Sequence, residues 1–149
     1  MGLSELTLHH IGVVTRSIKK ELPVFALLGY RGISGIFTEP GQKVRGMFIG
    51  APGQPTLELL ENAGTPGPLD ASLRRGVKFY HFAYSVPDVE AELGNLLASC
   101  RAKVVIPVTR SEYFHKLCFV MLPNMMLVEF VEPRRMHDGL SFPLDFTMV

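Results

Sequence analysis

The chain contains the same pattern twice. His10 and Glu58 stand 48 positions apart, and His81 and Glu129 repeat that spacing 71 positions further on. The same offset lays Phe48 on Phe119, Pro52 on Pro123, Leu57 on Val128 and Glu61 on Glu132 without a gap. A chain built as two copies of one module brings corresponding strands together about a pseudo-twofold axis. The two His and two Glu are then expected to converge on one point, and their ligand chemistry predicts a metal site.

Each copy reads as β-α-β-β-β. In the first, Leu8–Val14 is a strand, Ser17 caps a helix over about 18–28, and Gly29 ends it. Pro23 within that stretch demands either a late helix start near Glu21 or a kink. Segments 30–37, 43–49 and 56–61 read as strands, with a Pro/Gly turn at 51–55. The second copy gives strands at 79–86, 103–108, 116–122 and 126–132. Its helix runs from Pro87-Asp88 to about Ser99, and a loop at 110–115 feeds its third strand. The fold class is therefore α+β, with two tandem βαβββ modules and eight strands. The single domain spans 5–133: module one at 5–62, a linker at 63–76 that ends in a short helix, and module two at 77–133. A tail at 134–149 has no clear period, and its apolar residues (Met136, Leu140, Phe142, Leu144, Phe146, Met148) are expected to pack on something.

Strand side chains alternate faces. Glu58 therefore opposes Leu57 and Leu59, Glu129 opposes Val128 and Phe130, and His10 opposes His9 and Ile11. The repeat decides between the neighbouring histidines, because His81 matches His10 whereas His9 matches Tyr80. One strand His is ordinarily a core or surface residue and one strand Glu is ordinarily solvated. Four in paired register form a ligand set. Imidazole and carboxylate suit one divalent ion (zinc, cobalt, nickel, manganese or iron) with positions left open for water or substrate.

Composition removes other classes. With 149 residues, 47% hydrophobic and 19% charged, the chain is globular rather than disordered. A net charge of +1 gives no reason to expect nucleic acid or an anionic membrane as partner. No apolar run approaches a membrane span, and the N-terminal MGLSELTLHH lacks the pattern of a secretory signal. Cys100 and Cys118, without a C-x-x-C, read as small buried hydrophobes in a reduced, cytoplasmic protein. There is no phosphate-binding Gly loop and no nucleophile elbow.

His10 in HHIGVV, Glu58 in TLELLEN, His81 in YHFAYSVPDVEAEL and Glu129 in MLVEFVE resemble the vicinal oxygen chelate superfamily. That group holds glyoxalase I, bleomycin-resistance proteins and extradiol dioxygenases. The resemblance covers about residues 5 to 133 and is closest in flavour to methylmalonyl-CoA epimerase and lactoylglutathione-lyase-like proteins. It implies an open curved eight-stranded sheet around a central metal, with His10, Glu58, His81 and Glu129 as ligands. It implies an isomerase, epimerase or lyase that abstracts a proton next to a carbonyl, with Glu129 as first choice of base and Glu58 as second. The substrate would be a small carbonyl compound, anionic or a CoA thioester, and the protein a homodimer. The other branches are a non-catalytic small-molecule binding protein and an iron-dependent dioxygenase.

The epimerases place a second carboxylate at or near the strand preceding the first metal Glu. Here that strand, 43–49, has none, and Glu39 falls in a turn (EPGQ). His115, at the entry to the equivalent strand of module two, is the further candidate base, with Tyr113 and Lys116 behind it. Arg74, Arg75, Arg101, Arg134 and Arg135 are candidates for an anionic group of the substrate. Phe48, Phe119, Met121 and Met125 are candidates for an apolar pocket lining.

Overall fold

The computed structural model describes residues 6–134. Arg135 and the apolar tail residues singled out above lie outside the described residues. The chain divides into two compact units, with the divisions between His9 and His10 and between Tyr80 and His81.

The first unit contains most of β1 (Thr7–Val14), α1 (Ile18–Ala26), β2 (Arg31–Gly32), β3 (Phe37–Glu39), β4 (Val44–Gly50), β5 (Leu57–Asn62) and α2 (Asp70–Arg75). Its strand order is β2-β4-β5-β1, with β3 also paired to β4. The first and last strands of the module, β1 and β5, run parallel in the register Ile11↔Leu57 to Val14↔Leu60. The second unit contains β6 (Phe79–Ser85) from His81 on, α3 (Val89–Ser99), β7 (Lys103–Thr109), β8 (Lys116–Met121) and β9 (Leu127–Glu132). Its order is β6-β9-β8-β7, and again the first and last strands, β6 and β9, pair in parallel.

Nine strands among the described residues replace the expected eight. The stretch 30–37 is not one strand but two short ones, because the chain leaves the sheet at Ser34 and Gly35. Ser34 stays tied to β4, its Oγ accepting from the Phe48 N–H at 2.9 Å. Helix α1 starts at Ile18, not late. Ser17 Oγ accepts from the Lys20 N–H at 3.3 Å, and Pro23 sits inside the helix, where it cannot donate to the Lys19 carbonyl. Tight turns then close the end, with Leu28 N–H on Phe25 and Gly29 N–H on Ala26, and Gly29 takes φ +87°. Asp88 caps α3 in the same way, accepting from Ala91.

Burial follows the strand alternation. In β5, Leu57 and Leu59 pack with Ile18 and Ile49 beneath α1, while Leu60 packs on the other face with Val14, Val44 and Leu69. In β9, Val128 and Phe130 pack with Cys118, Val120, Val89 and Leu96 beneath α3. Each such aliphatic side chain is worth roughly 1.5–3 kcal/mol when fully buried. Because both faces of β5 and β9 are covered, polar residues on them are buried as well. That is what makes Glu58 and Glu129 chemically unusual.

Candidate functional site

Glu58 is 6% exposed and Glu129 3%, while His10 and His81 are fully buried. In the first unit, His10 Nε2 lies 3.2 Å from Glu58 Oε1. In the second, His81 Nε2 lies 3.2 Å from Glu129 Oε1. The register explains the match. Glu58 is opposite Phe48 on β4 and Glu129 is opposite Phe119 on β8. Each Phe presents a ring edge-on to the histidine of its own unit. The centroids are 4.9 Å apart for Phe48 and His10 and 4.9 Å apart for Phe119 and His81. The repeat thus reproduces a three-residue arrangement, not only two ligands.

The donor set fits a divalent ion. Charge-assisted N–H···O bonds are about 2.7–2.9 Å long, shorter than these contacts. Two ligands bound about 2.0–2.2 Å from one ion stand roughly 2.9–3.5 Å apart, which brackets 3.2 Å. Imidazole nitrogen and carboxylate oxygen have the borderline character that zinc, cobalt, nickel, manganese and iron accept. Each unit therefore carries one His–Glu half-set.

The units differ in what surrounds the glutamate. In the first, Phe37 stacks on Phe48 with centroids 5.4 Å apart. Gly46 has no room for a Cβ, which would lie 2.7 Å from Phe37 Cζ and 3.3 Å from Glu58 Oε2. The second unit has the buried Leu117 at the matching position. Sequence reading missed both Phe37 and Gly46, since only the pairing Phe37↔Gly46 brings them to Glu58.

Glu39 corrects an expectation. It is not in a turn but ends β3, is buried, and lies opposite Val44. Val44, Gly46 and Phe48 alternate onto the face that carries Glu58, so Glu39 shares that face. The alternation of Phe37, Thr38 and Glu39 was the available signal.

The other candidates are placed elsewhere. His115 precedes β8, four positions from Phe119, which is about 13 Å along an extended strand. Glu39, opposite Val44, stands at the same four-residue remove from Phe48, so the two residues are equivalently placed along the strands of their own units. Tyr113 packs against Phe114. Lys116 Nζ donates to Glu90 Oε1 at 2.7 Å, which lowers the Glu90 carboxyl and raises the Lys116 ammonium from their ordinary values. Arg134 Nη2 donates to the Ser111 and Glu112 carbonyls and so secures the 110–115 loop. Arg74 and Arg75 form the last turn of α2, where they offset its dipole, and Arg101 is exposed. Met125 is 75% exposed in a turn with φ +69°, so it lines no apolar pocket. Met121 is half-buried at the end of β8. Cys118 is buried and Cys100 only half-buried, both as free thiols. No helix among the described residues is long and apolar enough to cross a membrane.

Comparison with known proteins follows the same lines. The family model of the glyoxalase/bleomycin resistance protein/dioxygenase superfamily matches residues 9–106. No curated protein matches the chain by sequence. Among solved structures, methylmalonyl-CoA epimerase from Mycobacterium tuberculosis is similar with a TM-score of 0.78 and 19% identity, over 94% of this chain and 97% of that one. A hypothetical protein from Bacillus halodurans C-125 gives 0.76 and 22%, over 89% and 97%. A methylmalonyl-CoA epimerase variant from Streptomyces coelicolor, in complex with 2-nitronate-propionyl-CoA, gives 0.74 and 19%, over 88% and 100%. At these identities the likeness is one of fold.

Proposed function

The chain belongs to the glyoxalase/bleomycin resistance protein/dioxygenase superfamily, and from that premise we propose that it is a metal-dependent isomerase, epimerase or lyase. Its reaction removes a proton from the carbon next to a carbonyl in a small acid or thioester. The observation that carries this reading is the twinned His–Glu pair, with the same 3.2 Å contact and the same phenylalanine edge in both units. His10, Glu58, His81 and Glu129 together would hold one divalent ion. When bound, that ion supplies a Lewis acid for the substrate's carbonyl oxygens.

The chain's own residues do the rest. Phe48 and Phe119 fix the imidazole planes so that Nε2 faces the carboxylate. Glu129 takes the proton as general base, and Glu58 is the second choice. Glu39, buried on the face of Glu58, joins His115 as a candidate for the additional proton-handling group. The names of the similar structures support an acyl-CoA thioester as the first substrate to try. Free thiols at Cys100 and Cys118 support a reducing, cytoplasmic setting. The edge strand β7, with Val104 and Val105 exposed, supports a homodimer.

The test is metal content followed by proton exchange. The protein is stripped with a chelator, reloaded separately with zinc, cobalt, nickel, manganese and iron, and assayed for bound metal. It is then incubated with methylmalonyl-CoA in heavy water. The reading expects about one ion per chain and incorporation of one deuterium, lost in Glu129→Gln. No metal under any loading would leave a small-molecule binding protein. Iron specificity with oxygen uptake would make it a dioxygenase.

A further inference from the structure

The linker between the modules forms one wall of a cleft of about 490 Å³ that belongs wholly to the first unit. Arg16, Arg45, Asn62, Thr65, Asp70 and Leu73 line it. Arg45 is pre-oriented, whereas Arg16 is exposed and carries a single tether. Arg45 donates through Nε to Glu61 Oε1 at 2.8 Å and through Nη2 to the Asn62 carbonyl at 3.2 Å. Arg16 donates through Nη2 to the Leu73 carbonyl at 3.3 Å, and no carboxylate among the described residues pairs with it.

The side-chain acceptors of Asp70 and Asn62 in the lining are already engaged. Asp70 Oδ1 accepts from Asn62 Nδ2 at 2.8 Å and Asp70 Oδ2 from the Gly67 N–H at 3.0 Å. Asn62 Oδ1 accepts from the Leu69 N–H at 3.0 Å. This network is close-packed, since a Cβ on Gly67 would collide with the Asn62 side chain. The cleft offers an anion the remaining guanidinium N–H groups of Arg16 and Arg45 and the Thr65 hydroxyl, beside an Asp70 carboxylate whose two oxygens each already accept a bond. A second cleft of about 270 Å³ meets the first at Arg16 and Leu73 and adds Lys20, Lys78 and the carboxylate of Glu21. Lys78 is held by Glu21 at 2.7 Å.

We propose that this double cleft around Arg16 binds a phosphate-bearing ligand with two adjacent phosphoryl groups. Planar guanidinium forks match phosphate oxygens bidentately. Arg45, held by the Glu61 carboxylate and the Asn62 carbonyl, loses little freedom on binding. The proposal does not rest on the metal reading, because its residues all lie outside the His–Glu pairs.

The test titrates inorganic pyrophosphate into the full chain as purified, by calorimetry, for wild type, Arg16→Gln and Glu129→Gln. Arg16→Gln should weaken binding about 10- to 100-fold, as expected for a lost charge-assisted pair. Arg16→Lys, which keeps the charge and loses the fork, should fall between. Glu129→Gln should bind like wild type, and affinity should fall as salt rises. Malonate, a dicarboxylate of similar charge, should bind more weakly than pyrophosphate. Four results would overturn the proposal: no binding by wild type, unchanged binding by Arg16→Gln, malonate binding as tightly as pyrophosphate, or loss of binding in Glu129→Gln. The last would place the phosphate on the metal. Failure here leaves the metal assay untouched.

Discussion

The carboxylate of Glu61 accepts the backbone N–H of Ile18 at 2.7 Å. Glu61 lies near the end of β5 and Ile18 is the first residue of α1. The repeat holds here too, since Glu132 accepts from the Val89 N–H at 2.9 Å at the start of α3. A carboxylate at a helix N-terminus satisfies an orphan donor and meets the positive end of the helix dipole. Each module thus fastens its helix to its last strand through one glutamate, three residues beyond the glutamate that faces the histidine.

Glu132→Ala should therefore lower stability by about 1–2 kcal/mol, the cost of losing a cap of this kind. Chemical denaturation measures it. A midpoint equal to that of wild type would show that the contact contributes nothing.

Metal removal should destabilise the fold. A ligand present at about 100 times its dissociation constant adds roughly 2.7 kcal/mol, and for a chain of this length that is roughly 5–11 °C in Tm. Adding a chelator to metal-loaded protein should lower Tm by that amount, and His81→Ala should melt at the lower temperature with or without metal. A chelator-insensitive melt would argue that the pairs hold no ion.

Gly46→Ala tests the asymmetry between the units. Its new methyl would meet the Phe37 ring at 2.7 and 2.9 Å and Glu58 Oε2 at 3.3 Å. The expected cost is about 1–3 kcal/mol from overpacking, together with weaker metal binding because Glu58 is pushed. Leu117→Ala, at the matching position of module two, should cost about 2–5 kcal/mol as a cavity and leave Glu129 in place. Calorimetry and metal titration of the two variants separate the effects. Equal metal affinity in Gly46→Ala and wild type would refute the role given to Gly46.

Burial pushes the Cys118 thiol from the ordinary value near 9 up to about 11. Its neutral form is the one the fold prefers, so the stability it carries is fully present below pH 9.0 and is lost as pH rises toward 11. Iodoacetamide at pH 8 should modify the half-buried Cys100 while sparing Cys118 in the native protein, and modify both once the protein is unfolded. Peptide mass spectrometry reads the outcome. Rapid native labelling of Cys118 would show that the strand opens.

Much of the His–Glu geometry was legible because it depends on local alternation. Leu57 and Leu59 had to face one way and Glu58 the other, whatever packed above them. The repeat also marked Glu61 and Glu132 as a pair but gave them no role, since their partners lie 43 residues away at the helix starts. Glu39 was misread for a different reason. EPGQ has the composition of a turn, and β3 exists only because Phe37, Thr38 and Glu39 find partners on β4. Strand formation of that kind is decided by tertiary pairing rather than by propensity. Arg16 and Arg45 were invisible as a pair for the same reason, as nothing in a linear reading joins a residue after β1 to one on β4.

In both modules the parallel partners are the first strand and the last. Neighbouring antiparallel strands, β4 with β5 and β8 with β9, close short loops and form at little entropic cost. The parallel pairing joins residues that a growing chain makes far apart in time. His10 meets Glu58, and His81 meets Glu129, only after the intervening helix and strands have been laid down. Each His–Glu contact is therefore among the last its module can make. A half-made module has one donor and no partner, so an ion that needs both would be captured only by a chain that has finished folding.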